Sequence, residues 1–227
     1  TNWGVKFFAD ALISFSKYKL PVWKQQELFV SQCMRARADS GSWAEHSRNL
    51  DSLDLLVLGK LKEEISSYRR DHGDRGISIL DLGCGEGRCV DWLKSAFADA
   101  SVYGIDPVAP SGHPTIRRGS AYEIDFPDRT FDIVFCYIVL QHVSDLGRVF
   151  AEIRRVLKPG GKFVLADRNR ISLRGLLKPW HELKGRWIYS WDAPFLERWY
   201  SPGEWRRLFR REGFDVQSQS SFISPGD

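Results

Sequence analysis

The stretch Ile77-Ser78-Ile79-Leu80-Asp81-Leu82-Gly83-Cys84-Gly85-Glu86-Gly87-Arg88 decides the fold. An apolar, β-forming run ends in three alternate glycines, and a helical pattern follows from Arg88 to Phe97. Glycine tolerates φ > 0 and lets the main chain touch a ligand, while the next helix N-terminus offers unsatisfied N–H groups and partial positive charge. Such a turn cradles a nucleotide-like ligand: NAD, FAD or an adenosyl group. The dinucleotide fingerprint carries a third Gly or Ala three residues after its second glycine, so that helix and strand pack closely at the pyrophosphate. Here that place is Arg88, which disfavours NAD.

Working outward, the compact Gly83-x-Gly85-x-Gly87, with Asp81 two residues ahead, resembles motif I of the class I S-adenosylmethionine-dependent methyltransferases. Further segments match in order. Ser101-Val102-Tyr103-Gly104-Ile105-Asp106 resembles the second strand, whose terminal acid accepts ribose hydroxyls. Arg118-Gly119-Ser120-Ala121-Tyr122 and Phe126 to Cys136 resemble the adenine-side loop and fourth strand, followed by Val139-Leu140-Gln141-His142-Val143. Val156-Leu157-Lys158-Pro159-Gly160-Gly161, running on to Asp167, matches the helix, turn and fifth strand. The likeness spans residues 77 to 167 and is greatest to the type 11, ubiquinone-biosynthesis-like subgroup.

This resemblance implies an α/β fold, a Rossmann-like doubly wound and mostly parallel sheet, with S-adenosyl-L-methionine as cofactor. It places Asp81, Gly83, Cys84, Gly85, Asp106, Pro107, Ser120, Ala121 and Cys136 on the cofactor. Asp81 either binds the cofactor's amino group or caps the glycine turn. Ser120 stands where many relatives carry an acid that accepts from the adenine amino group, and its hydroxyl is a weaker partner. Cys136 is expected to contribute its main-chain carbonyl. The implied reaction is in-line attack by an acceptor atom on the sulfonium methyl, which rests largely on positioning. His142 is the candidate general base, with a structural hydrogen-bonding role as the alternative. Tyr137, His181, Trp199 and Tyr200 are the acceptor-side candidates.

The chain of 227 residues is 43% hydrophobic and 27% charged, enough to bury an enzyme-sized core. It shows neither an apolar run of the ~18 residues that span a bilayer nor a signal-peptide pattern, and it reads as soluble and cytoplasmic. Cys33, Cys84, Cys89 and Cys136 form no Cys-x-x-Cys pair and read as reduced packing thiols. The five histidines are scattered without metal-ligand spacing, so no metal is expected.

Residues 1–72 read as an N-terminal helical extension and 73–227 as the cofactor-binding domain. In the extension, Leu50, Leu53, Leu56, Val57, Leu61 and Ile65 are helically spaced, with Asp51 or Ser52 as the start and Gly73 as the stop. Trp43 and His46 are pocket candidates on a turn-rich segment. Helices are expected near 88–97, 145–157 and 203–212, and strands near 77–82, 101–105, 131–137, 162–167 and 214–223. No residues remain for an antiparallel seventh strand, so the natural chain is expected to run further. The insert 168–212, on the acceptor side, holds five of nine tryptophans and eleven basic residues against five acids. Arg206, Arg207, Arg210 and Arg211 are expected on a solvated face.

The function expected is methylation of a small-molecule acceptor, at oxygen of a sugar, lipid-linked or secondary-metabolite substrate. One alternative is an RNA methyltransferase whose basic, aromatic insert stacks bases. Another is a noncatalytic adenosyl-binding scaffold. Acceptor identity and oligomeric state are not encoded in any motif found.

Overall fold

The structure, a computed structural model, describes residues 50–73, 76–110, 112–171 and 198–219, with positions 21, 23, 24, 27, 28 and 31. Strands β1 (Ser78–Leu82), β2 (Ser101–Asp106), β3 (Ile116–Arg118), β4 (Phe131–Tyr137) and β5 (Leu157–Ala166) form one parallel sheet ordered β3-β2-β1-β4-β5. Parallel neighbours need crossover connections. Helix α1 (Ser52–His72) precedes the sheet, α2 (Arg88–Ala96) carries the chain from β1 to β2, α3 (Leu146–Val156) from β4 to β5, and α4 (Pro202–Arg211) follows.

Period-two alternation assigns the strand residues to two faces. Ile79, Ile133 and Phe135 pack with Leu58, Leu61 and Ile65 of α1 and with Val90 and Leu93 of α2. Leu80, Leu82, Val134 and Cys136 pack on the other face with Val149, Phe150 and Ile153 of α3 and Trp205 of α4. Each such fully buried apolar side chain contributes about 1.5–3 kcal/mol. Because α1 shares a core with β1 and β4, this helix is one cover of the sheet.

Asp51 is the start of α1: it accepts from Asp54 N at 2.8 Å while Asp54 accepts from Asp51 N at 2.9 Å, a reciprocal cap. Gly73 ends the helix at φ 86°. Leu56, expected on the apolar stripe, is instead exposed, as is Leu55, because Leu58, Leu61 and Ile65 take the sheet-facing side. At its C-terminal end α1 is tied to the sheet by Tyr68, whose hydroxyl donates to Asp132 Oδ1 at 3.1 Å.

Two expectations need correction, and one strand was not expected. Strand β3 is a three-residue edge strand, too short to carry a readable period. Strand β5 begins at Leu157 opposite Phe131, with a register shift before Lys162 pairs with Ile133. The expected strand at 214–223 is absent over residues 214–219, the remainder lying outside the described residues. There Phe214 N bonds to Phe209 O at 2.9 Å, and the ring packs against Phe150 and Phe163 at 5.8 and 5.7 Å, so the segment caps an aromatic cluster instead of adding to the sheet. Among the described residues no helix is long and apolar enough to cross a membrane.

Candidate functional site

The sheet order reverses at β1, flanked by β2 and β4, and the crevice for a ligand in such sheets lies beyond the strand carboxyl ends at this point. Three glycine-turn amides are held by β2. Gly83 N and Cys84 N donate to Ile105 O at 2.8 and 3.1 Å, and Gly85 N donates to Asp106 Oδ2 at 3.0 Å. Asp81 makes none of these bonds, so its expected capping role is not the one seen.

Gly83 is required twice over. Its φ is +81°, and a Cβ there would lie 2.3 Å from Val139 Cγ2. This contact lays the turn after β4 directly on the turn after β1. Ile138, between β4 and Val139, is itself at φ 55°. A β-branched residue in that region costs of order 1–3 kcal/mol, strain that marks functional turns. Gly85 faces open space, with nothing within 4 Å of the place a Cβ would take.

Asp81 is 2% exposed, and its Oδ2 has no hydrogen-bond partner among the described residues. Burial first, and the neighbouring Asp106 second, push its carboxyl from 3.8 up to about 7, with Arg88 opposing. Among the described residues no donor meets that oxygen, and the Arg88 charge offsets its burial only in part. Asp106 accepts from Gly85 N through one oxygen and from Val108 N at 2.8 Å through the other, leaving lone pairs on both; burial raises its pKa as well. Pro107 follows it, half-buried.

The other expected residues divide. Cys84 points under the turn against Gly104, and Cys136 is wholly buried opposite Leu82 and Leu165. Burial raises the pKa of both thiols, which are free, as is buried Cys89. Ser120 and Ala121 are half-buried beside Asp106, whose carbonyl accepts from Gly119 N at 3.2 Å. Tyr137, half-buried at the end of β4, is bonded to Asp54, and burial with that carboxylate pushes its phenol up. His142 lies in a single 3-10 turn, Leu140–His142, whose Gln141 N donates to Asp167 Oδ2 at 3.1 Å.

Tyr200 packs against Trp205, the rings tilted with centroids 4.6 Å apart, and lines a cavity of about 530 Å³ with Trp23, Ser144, Arg198 and Arg211. Trp199 lies 5.3 Å from the Arg168 guanidinium. Arg206, Arg207, Arg210 and Arg211 are exposed, as expected. His181, Trp43, His46 and Cys33 lie outside the described residues.

Two features escaped the sequence reading. Arg88 forms a two-pronged pair with Asp54, at 2.7 and 3.0 Å, pinning α1 to the glycine turn; Asp54 is 1% exposed. Glu27 bonds to Ser120 Oγ from 93 positions earlier. The Glu and Asp at these positions carried no motif, and only their mates, Arg88 and Ser120, stood out as departures.

Residues 80–165 match the family described as "Methyltransferase domain". The chain is 30% identical over 177 residues to the demethylmenaquinone methyltransferase of Symbiobacterium thermophilum, covering 63% of this chain and 70% of that one. The chain belongs to the class I S-adenosylmethionine-dependent methyltransferases. It is 29% identical over 168 residues to the ubiquinone biosynthesis O-methyltransferase of Nitrobacter winogradskyi, covering 65% of this chain and 60% of that protein. A solved S-adenosylmethionine-dependent methyltransferase from Thermotoga maritima shares the fold, with TM-score 0.51, 20% identity, and coverage of 70% and 81%. This methyltransferase chain spans 46% to 70% of the length of the curated relatives it matches.

The residues present fit the family's cofactor. The buried, partnerless Asp81 oxygen suits an ammonium group, the remaining lone pairs of Asp106 suit vicinal hydroxyls, and the space above Gly85 admits a ligand against bare backbone.

Proposed function

We propose that this methyltransferase chain moves the methyl group of S-adenosylmethionine to a small-molecule acceptor, at oxygen of a sugar, lipid-linked or secondary-metabolite substrate. The observation that carries the cofactor half is Asp81, a buried carboxyl with a partnerless oxygen beside a glycine turn. Bound S-adenosylmethionine supplies an activated methyl on a sulfonium centre. The protein's part is to hold and exclude water: Asp81 takes the ammonium, Asp106 the ribose, and the Gly83 to Gly85 backbone the remainder, together with the main chain at Cys136.

The acceptor half rests on the cavity of about 530 Å³, which lies within the range of small-molecule sites and is lined by Ser144, just after the Leu140–His142 turn. Its aromatic and arginine lining suits a flat or ring-bearing acceptor, in keeping with an O-methyltransferase of ubiquinone biosynthesis among its relatives. Trp205 is spent on Tyr200 and Phe209 at 4.6 and 5.6 Å, so it is not available to stack an RNA base.

His142 is assigned a positioning role. Its Nε2 lies 3.0 Å from the Gln141 side-chain amide, a contact that engages that nitrogen. Service as a base through Nε2 requires that contact to be surrendered.

Calorimetric titration with S-adenosylmethionine, S-adenosylhomocysteine and NAD tests the reading. Selective binding of the adenosyl ligands, followed by turnover on a phenolic or sugar acceptor, is expected. Binding of NAD alone refutes it, and binding without turnover on a broad acceptor panel favours the scaffold alternative.

A further inference from the structure

Adenine presents an exocyclic amino donor, for which a carboxylate is the strongest side-chain acceptor. The loop that follows β3 begins one peptide from Asp106, because Gly119 N donates to Asp106 O, so a base attached to a ribose at Asp106 has Gly119 to Tyr122 as its neighbour. Over that stretch the side-chain oxygens are the Ser120 hydroxyl and the Tyr122 hydroxyl, and the latter is held at Ser144. The Ser120 hydroxyl accepts from Tyr122 N at 3.0 Å and donates its one proton to Glu27 Oε1, so it has no proton left to offer and one lone pair already used.

Glu27 is held in place from several directions. Trp23, one helical turn earlier, packs on Tyr122 with ring centroids 4.8 Å apart. The Arg148 guanidinium covers Trp23 at 4.1 Å and bonds to Tyr122 O at 3.1 Å and to Glu123 at 2.7 Å. Ser31 Oγ donates to Glu27 O at 2.7 Å. The second carboxylate oxygen of Glu27 has no hydrogen-bond partner among the described residues.

We infer that Glu27 supplies the carboxylate that accepts the adenine 6-amino group, so a residue 56 positions ahead of Gly83 completes the base pocket and sets its preference for adenine. The half-buried carboxyl has its pKa raised by desolvation, against the pull of Ser120, Lys24 and Arg148 and with the push of Glu123, so its charge is incompletely compensated by the protein. A neutral N–H donor from the ligand relieves this without adding charge. The inference rests on the cofactor reading above.

The test compares S-adenosylhomocysteine with S-inosylhomocysteine, in which a 6-oxo group replaces the amino group, by calorimetric titration. The wild-type chain is expected to prefer the adenine form. Glu27→Ala is expected to weaken S-adenosylhomocysteine about tenfold to hundredfold, the worth of a charge-assisted hydrogen bond, while changing S-inosylhomocysteine by less than about threefold. Adding Ser120→Asp to that variant is expected to restore the preference. Equal weakening of both ligands makes Glu27 merely structural and overturns the inference, as does no change in either. If Glu27→Ala does not fold, Glu27→Gln keeps the contact with Ser120 and is still expected to reduce the preference; an undiminished preference overturns the inference. A wild-type chain that binds neither adenosyl ligand nor its inosyl analogue overturns the cofactor reading itself, a different result from binding that ignores Glu27.

Discussion

Asp81→Asn, measured without cofactor from pH 4 to 8, isolates the central electrostatic feature of the site. The wild-type carboxyl is raised from 3.8 to about 7 on folding, chiefly by burial. Because the folded value lies above the unfolded one, the folded protein binds the proton more tightly. The stability this contributes is fully present below about pH 4, and is lost as pH rises through about 7. A shift of about three units, at 1.36 kcal/mol per unit, makes the wild type lose about 4 kcal/mol relative to the Asn variant, whose residue 81 does not titrate, across that window. For a chain of this size that corresponds to roughly 8–16 °C in Tm. Paired urea or thermal unfolding curves at half-unit pH steps measure the gap. A gap that stays constant between pH 4.5 and 7.5 refutes the buried, partnerless carboxyl. Titration with S-adenosylhomocysteine near pH 6.5 supplies a second readout: an ammonium beside Asp81 lowers its pKa, so protons are released and the observed enthalpy varies with the ionisation enthalpy of the buffer. Loss of that buffer dependence in Asp81→Asn is expected, together with weaker binding.

Gly83→Ala forces a side chain to φ +81° and into Val139, so a loss of about 2–4 kcal/mol in urea unfolding and a weakened cofactor affinity are expected. Arg88→Leu leaves the buried Asp54 without its two-pronged partner and is expected to cost about 3–5 kcal/mol in urea unfolding, with Arg88→Leu/Asp54→Asn, which keeps an acceptor for Asp51 N, recovering part of it; a cost below about 1 kcal/mol for Arg88→Leu argues against the pair. Asp132 accepts from Tyr68, Ser78 N and Lys158 and has its pKa lowered, so its stabilisation is present above pH 3.8 and lost as pH falls further; the stability gap to Asp132→Asn is expected to close on acidification. His142→Ala on a hydroxyl acceptor is expected to reduce kcat by less than the roughly 100-fold a lost general base costs, and to leave the acid limb of the pH profile in place.

The parallel sheet was legible because its signals are local. The apolar run from Ile77 to Leu82, the glycine turn, and the acids at the ends of β1 and β2 each act within a few residues of one another, and backbone sterics enforce them without help from distant chain. The cap at Asp51 and the stop at Gly73 were readable for the same reason. Leu56 misled because two adjacent stripes on α1 are apolar, and only packing on Ile79 and Phe135 selects the one containing Leu58, Leu61 and Ile65. Phe214 misled because an alternating pattern can be satisfied by an aromatic cluster as well as by a strand.

Sequence by itself determined the fold class and the glycine turn with the acids Asp81 and Asp106 at the ends of β1 and β2, since each is set by short-range backbone geometry. Tertiary structure alone decided which polar groups meet: Asp54 with Arg88, Glu27 with Ser120, and Asp81 Oδ2 with none among the described residues. Those pairings depend on how helices dock over the sheet. Electrostatic energy depends on distance and burial in space, neither of which is a property of sequence spacing.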